Sequence, residues 1–207
     1  MIYQHKYISS LILLCLFSLG LALQIKSQIG QSVTNAFALS LSQLLPLSIG
    51  TIISCINLCF WSIGCLLTRF RNPCRSFLQI LVILMNGWLV DAYLTFILRF
   101  GTPVFYGYRL LLFLGGLTLA ALALGLLAGL GVFTFPLEGC CIALSEILAV
   151  SLSVIRMGID TLFLGSTLVL TLIFNLNWTL REGTLISYVF LSIMFTKSYQ
   201  WILSKKK

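Results

Sequence analysis

Apolar residues run through this chain in six long, nearly unbroken stretches, at residues 7–25, 47–67, 77–98, 110–133, 150–174 and 184–203. A helix needs roughly 20 predominantly apolar residues to cross the hydrocarbon of a bilayer, and each stretch can reach that length. Lipid offers no partner to a backbone amide, so a helix is the expected form of all six. Two shorter segments punctuate the series. Residues 28–45 place Ile29, Val33, Phe37, Leu41 and Leu44 at helical spacing, with Gln28, Gln31, Asn35 and Gln43 on other positions. Residues 137–149 set Glu138, Ser145 and Glu146 on one stripe. Both segments suit a helix that lies at the interface or enters part-way into the bilayer.

The order of elements repeats: a long run, a short amphipathic segment, then two long runs, and the same again. Leu21, Ala22, Leu23 and Gly30 recur at one offset as Leu122, Ala123, Leu124 and Gly131. Two residues further on, Asn35 falls on Glu138 and Asn57 on Asp160. The fold expected is an all-α membrane protein of about six transmembrane helices in one domain, residues 1–207. Its halves, about 7–98 and 110–203, each hold three spans. Three is odd, so the second half enters the bilayer upside-down relative to the first. Such inverted repeats recur in transporters, with a site near the midplane where the repeats meet.

Composition narrows the classes. Of 207 residues 59% are hydrophobic and 9% charged, which leaves no room for a separate soluble domain. A net charge of +8 would suggest nucleic acid in a soluble protein, but placement explains it here. With the amino terminus in the cytoplasm, Lys6, Arg69, Arg71, Arg75, Lys197, Lys205, Lys206 and Lys207 all fall at cytoplasmic ends, and Arg156 just inside that face. Only Lys26, Arg99, Arg109 and Arg181 lie elsewhere. This asymmetry places both termini in the cytoplasm and removes the case for a nucleic-acid partner. The first run, preceded by Lys6, is read as a retained helix rather than a cleaved signal. The seven cysteines are odd in number and show no C-x-x-C pair, so neither a disulfide framework nor a metal site is expected. Cys55 and Cys59 share a helix face and are read as small buried apolar residues.

Ionisable groups at membrane depth are costly, which makes them functional candidates. In VIRMGID, Arg156 and Asp160 stand four residues apart on one helix face and neutralise each other. Counted from Val150 at about 1.5 Å per residue, Asp160 lies roughly 15 Å deep, with Arg156 shallower and able to snorkel outward. Asn57 and Asn86 also count to the midplane, either as helix-joining amides or as ligand contacts. Asp91 faces a pathway or pairs with Arg99 or Arg109. Glu138, between Pro136 and Gly139, sits where a helix begins, near a gate or simply favoured by the helix dipole. The four tryptophans, Trp61, Trp88, Trp178 and Trp201, read mostly as belt anchors. His5, the single histidine, has no nucleophile beside it, and no catalytic constellation or cofactor fingerprint appears; no enzyme and no cofactor is expected.

Several pieces in order, GLALQIKSQIG at 20–30, LSIGT at 47–51, FLQILVILMNGWLVD at 77–91, PLEGC at 136–140, VIRMGID at 154–160 and EGTLISYVF at 182–190, resemble the YczE/YyaS/YitT family of multi-pass bacterial membrane proteins. The resemblance covers about residues 18–195. It departs where that family has Pro-Trp-Asp, here Val33, Thr34 and Asn35, and in lacking a closing Gly-Pro. It implies a multi-pass protein of the bacterial plasma membrane and supplies no biochemical activity. The reading is then a small permease or exporter of an unidentified solute, with Asp160 and Arg156 at the site, Asn57, Asn86 and Asp91 as neighbours and Glu138 near a gate. The alternatives are a scaffold or accessory protein, or the substrate-binding subunit of a larger transport complex. Expected partners are lipid, the solute, and a second copy or another membrane component.

Overall fold

The computed structural model describes residues 2–67, 73–98, 105–132 and 134–205. Within them the chain forms eight helices: α1 (Ile2–Ser27), α2 (Val33–Leu44), α3 (Ile49–Leu67), α4 (Pro73–Leu98), α5 (Tyr106–Leu130), α6 (Pro136–Leu148), α7 (Leu152–Ile173) and α8 (Glu182–Lys205). No strand occurs among the described residues. Arg69, Arg71, Arg99, Phe133, Lys206 and Lys207 lie outside them, as do the side chains of His5, Cys74 and Arg75.

Five described helices, α1, α3, α4, α5 and α7, are long and apolar enough to cross a bilayer. The sixth long helix, α8, has 24 residues and the reach, about 36 Å at 1.5 Å per residue. It is more polar, carrying Glu182, Lys197, Gln200 and Lys205, and falls outside that set. Large apolar side chains cover the outer surface: Leu66 and Leu162 are 73% exposed, Phe77 and Trp88 71%. Such a surface is adhesive in water and at rest in hydrocarbon, which agrees with embedding in a membrane.

At the centre α1 crosses α5. A Cβ placed on Gly20 would come 2.7 Å from the carbonyl oxygen of Gly116, and one on Gly116 would come 2.7 Å from that of Gly20. Only glycine at both positions lets the two backbones approach so closely, the usual device where helices associate without a hydrophobic driving force. Around this pair, α4 packs on α1 and α8 on α5, α3 on α4 and α7 on α8, while α6 lies against α3 and α2 against α7. One apolar core, including Leu14, Phe113, Leu117 and Phe195, fills the space about α5. A second, with Leu21, Ile52, Ile53, Val90 and Leu94, joins α1, α3 and α4.

Both short amphipathic segments form helices, as expected. In α2 the buried residues are Val33, Asn35, Ala36, Ala38 and Ser40, whereas Leu44 is exposed. Small and polar side chains face the protein, because here the outside is lipid and the inside is where partners exist. Both α2 and α6 bury the N-terminal half and expose the C-terminal end. Cys55 and Cys59 also depart from expectation: both are exposed on α3, whereas Cys65, Cys140 and Cys141 are buried.

Candidate functional site

The start of α6 brings a carboxylate to α7. Phe135 is the N-cap, Pro136 occupies the first turn, and Glu138 follows within that turn, where the helix dipole favours a negative charge. Glu138 is 5% exposed and accepts a hydrogen bond at Oε1 from Nη1 of Arg156. On the other side of the guanidinium, Nε of Arg156 donates to Oδ2 of Asp160 at 3.2 Å. Arg156 and Asp160 are each 3% exposed. Arg156 does not snorkel: both of its carboxylate partners lie inside the protein, and they hold its head group there.

With α7 beginning at Leu152, Asp160 sits eight residues in, about 12 Å along the helix axis. The cluster carries two carboxylates and one guanidinium, so it bears a charge of −1 when all three ionise. Glu138 lies outside the long spans, and burial raises its carboxyl above the ordinary range while Arg156 opposes the rise. Beside it, burial pushes the Cys141 thiol up to about 12, which keeps it protonated and inert.

One turn beyond Asp160, Phe163 stands between α2 and α3. Its ring centroid is 5.2 Å from that of Phe37 and 5.8 Å from that of Phe60. These three rings lie directly along α7 from the charged cluster. On the other side of α6, Nε2 of Gln79 donates to the Thr134 carbonyl at 3.0 Å, and Cys140 Sγ contacts the Phe60 carbonyl at 3.0 Å.

The remaining candidates take separate places. Asn86 is buried and accepts from Ser18 Oγ at 3.0 Å, tying α4 to α1. Asn57 donates from Nδ2 to Ile53 O of its own helix at 2.9 Å. Asp91 accepts from the Gly50 amide at 2.9 Å and from Ser48 Oγ at 2.7 Å, so its carboxylate closes the N-terminus of α3. None of these bonds involves Arg156.

Sequence reasoning passed over Gln24. It is fully buried, and both polar atoms of its side chain lack a hydrogen-bond partner; so do Gln31 Oε1 and Asn35 Nδ2. The signal was present, since Gln24 is an amide within an otherwise apolar run. Buried amides without partners are rare and mark places where water or a ligand belongs.

Residues 4–197 match the family DUF6198, described as a family of unknown function, and the chain belongs to it. No curated protein and no solved structure matches the chain.

Proposed function

We propose that this member of a family of unknown function is a small permease or exporter that moves an unidentified solute by alternating access. The observation that carries the reading is the buried Glu138–Arg156–Asp160 cluster. It holds one more acid than base and joins a short half-buried helix to a membrane span. A protein that moved nothing through its interior would gain little from an excess buried carboxylate, which costs several kcal/mol to desolvate, on the order of what a buried ion pair returns. In this reading Phe37, Phe60 and Phe163 are the apolar groups beside the cluster along α7, and Asn57, Asn86 and Asp91 are neighbours of the path.

The architecture belonging to this reading is six crossings in a bacterial plasma membrane, as two halves inserted in opposite senses, with both termini cytoplasmic. Its support is the paired packing described above. Exchange α1 with α5, α2 with α6, α3 with α7 and α4 with α8, and each named helix contact becomes another of them. The likeness to the YczE/YyaS/YitT family belongs here too, and the reading involves no catalytic step and no cofactor.

A thermal-shift screen of purified protein against metabolites and antibiotics tests it, with Asp160→Asn and Arg156→Gln alongside. A true ligand raises the melting temperature in a dose-dependent way. A hit whose shift is lost in both variants, each read against its own unliganded melting temperature under conditions where it still folds, supports a solute site at the cluster. If no compound shifts the protein and both variants simply melt earlier, the cluster is a brace between α6 and α7. The scaffold reading then takes over.

A further inference from the structure

Lys26 and Arg181, two of the four cations that break the charge asymmetry, both line one cavity. It has a volume of about 370 Å³ and lies between the end of α1, α2 and the α7–α8 connection, with Ile49 and Leu94 at its apolar back. Its polar wall includes Lys26, Gln31, Gln43, Asn177 and Arg181, and among the described residues no aspartate or glutamate lines it. Glu182, next in the chain to Arg181, is exposed and outside that wall, and Asp91 is engaged by Ser48 and Gly50.

The cavity is held open by its own walls. Gln43 donates to the Asn177 carbonyl at 3.2 Å and accepts from the Asn177 amide at 2.9 Å, and Ser40 and Thr179 share a hydrogen bond of 2.7 Å. Arg181 Nη1 donates to the Gln28 carbonyl, which sets the guanidinium at the mouth. Lys26 is 7% exposed, so its charge acts where solvent screens it less than at the surface. Gln31 is 3% exposed and its side-chain oxygen has no hydrogen-bond partner.

We propose that this cavity binds a phosphate-bearing anion. Two cations with no carboxylate among them match a phosphate group of charge −1 to −2, and a P–OH of the monoanion or a hydroxyl of the esterified alcohol supplies the donor that Gln31 Oε1 lacks. The phosphate comes from a small soluble ester or from a lipid headgroup; the chemistry recognised is the same. The site is independent of the Glu138–Arg156–Asp160 cluster and of any transport through it.

The experiment is the melting temperature of the full chain in neutral detergent, in inorganic phosphate against chloride at matched ionic strength. A parallel arm uses nanodiscs of phosphatidylcholine with and without phosphatidylglycerol. Wild type should show a saturable rise of about 5 °C in at least one arm. The rise should vanish in Lys26→Gln and in Gln31→Glu and persist in Asp160→Asn. A rise with inorganic phosphate assigns a soluble anion; a rise confined to anionic lipid assigns the headgroup. Gln31→Glu puts a carboxylate into the wall and removes no cation, so it decides the matter if Lys26→Gln fails to fold. The exposed Arg181→Gln serves as the further variant. No rise in either arm, or a rise unchanged in these variants, overturns the proposal.

Discussion

Gly20 and Gly116 face each other across the α1–α5 crossing, each placed so that a side chain on one would strike the carbonyl oxygen of the other at 2.7 Å. Gly20→Leu or Gly116→Leu should therefore separate the central helices and cost about 3 kcal/mol or lose folded protein outright. Gly115→Leu is the control, because nothing stands within 4 Å of its Cβ position. Detergent-solubilised yield and melting temperature read the difference, and equal behaviour of the 115 and 116 variants would refute the close crossing.

Arg156→Gln leaves Glu138 and Asp160 facing each other with no cation between them. The expected loss is about 3 kcal/mol near neutral pH, typical of breaking a buried pair from one side. Adding Asp160→Asn to Arg156→Gln should restore part of that loss. A double-mutant cycle that came out additive would mean the two side chains do not interact.

Glu138 gives a pH signature. Its carboxyl is raised in the folded chain, chiefly by burial, so the folded state binds that proton more tightly than the unfolded chain does. Its contribution to stability is thus complete below the unfolded value of about 4.3 and is lost as pH climbs through the raised value. Glu138→Gln has no such titration. As pH rises above about 4.3, the wild-type melting temperature should fall relative to that of the variant; curves that stay parallel would show that the Glu138 carboxyl is not raised by folding.

Asp91 should behave as a helix-closing residue. Asp91→Ala leaves the Gly50 amide and Ser48 hydroxyl without their acceptor and should cost about 1 kcal/mol, the usual value of a lost N-terminal cap. Any ligand found for the Arg156 cluster should still stabilise this variant as it does wild type. Loss of that response would move Asp91 onto the solute path.

The solvent of this protein and its list of elements were legible in the chain. Each of the six long runs became a long helix, and the segments at 28–45 and 137–149 became α2 and α6. The Arg156–Asp160 contact was legible too, since a spacing of four residues on a helix sets two side chains on one face whatever surrounds them. Hydropathy along a line could not say which face of α2 turns inward. In lipid the sign of amphipathicity reverses, and Asn35 and Ser40 went inside.

By itself, then, the sequence determined which stretches become helices, about how far each can reach and that most of them belong in lipid, because those properties depend on neighbours within a turn or two. Tertiary structure alone decided that Glu138 shares Arg156 with Asp160 from eighteen residues away. It alone set Asp91 against the Gly50 amide and gathered Lys26 and Arg181 around one cavity. The physical reason is that buried polar groups take whatever partner the packing of helices supplies, and close glycine crossings such as Gly20 on Gly116 fix that packing.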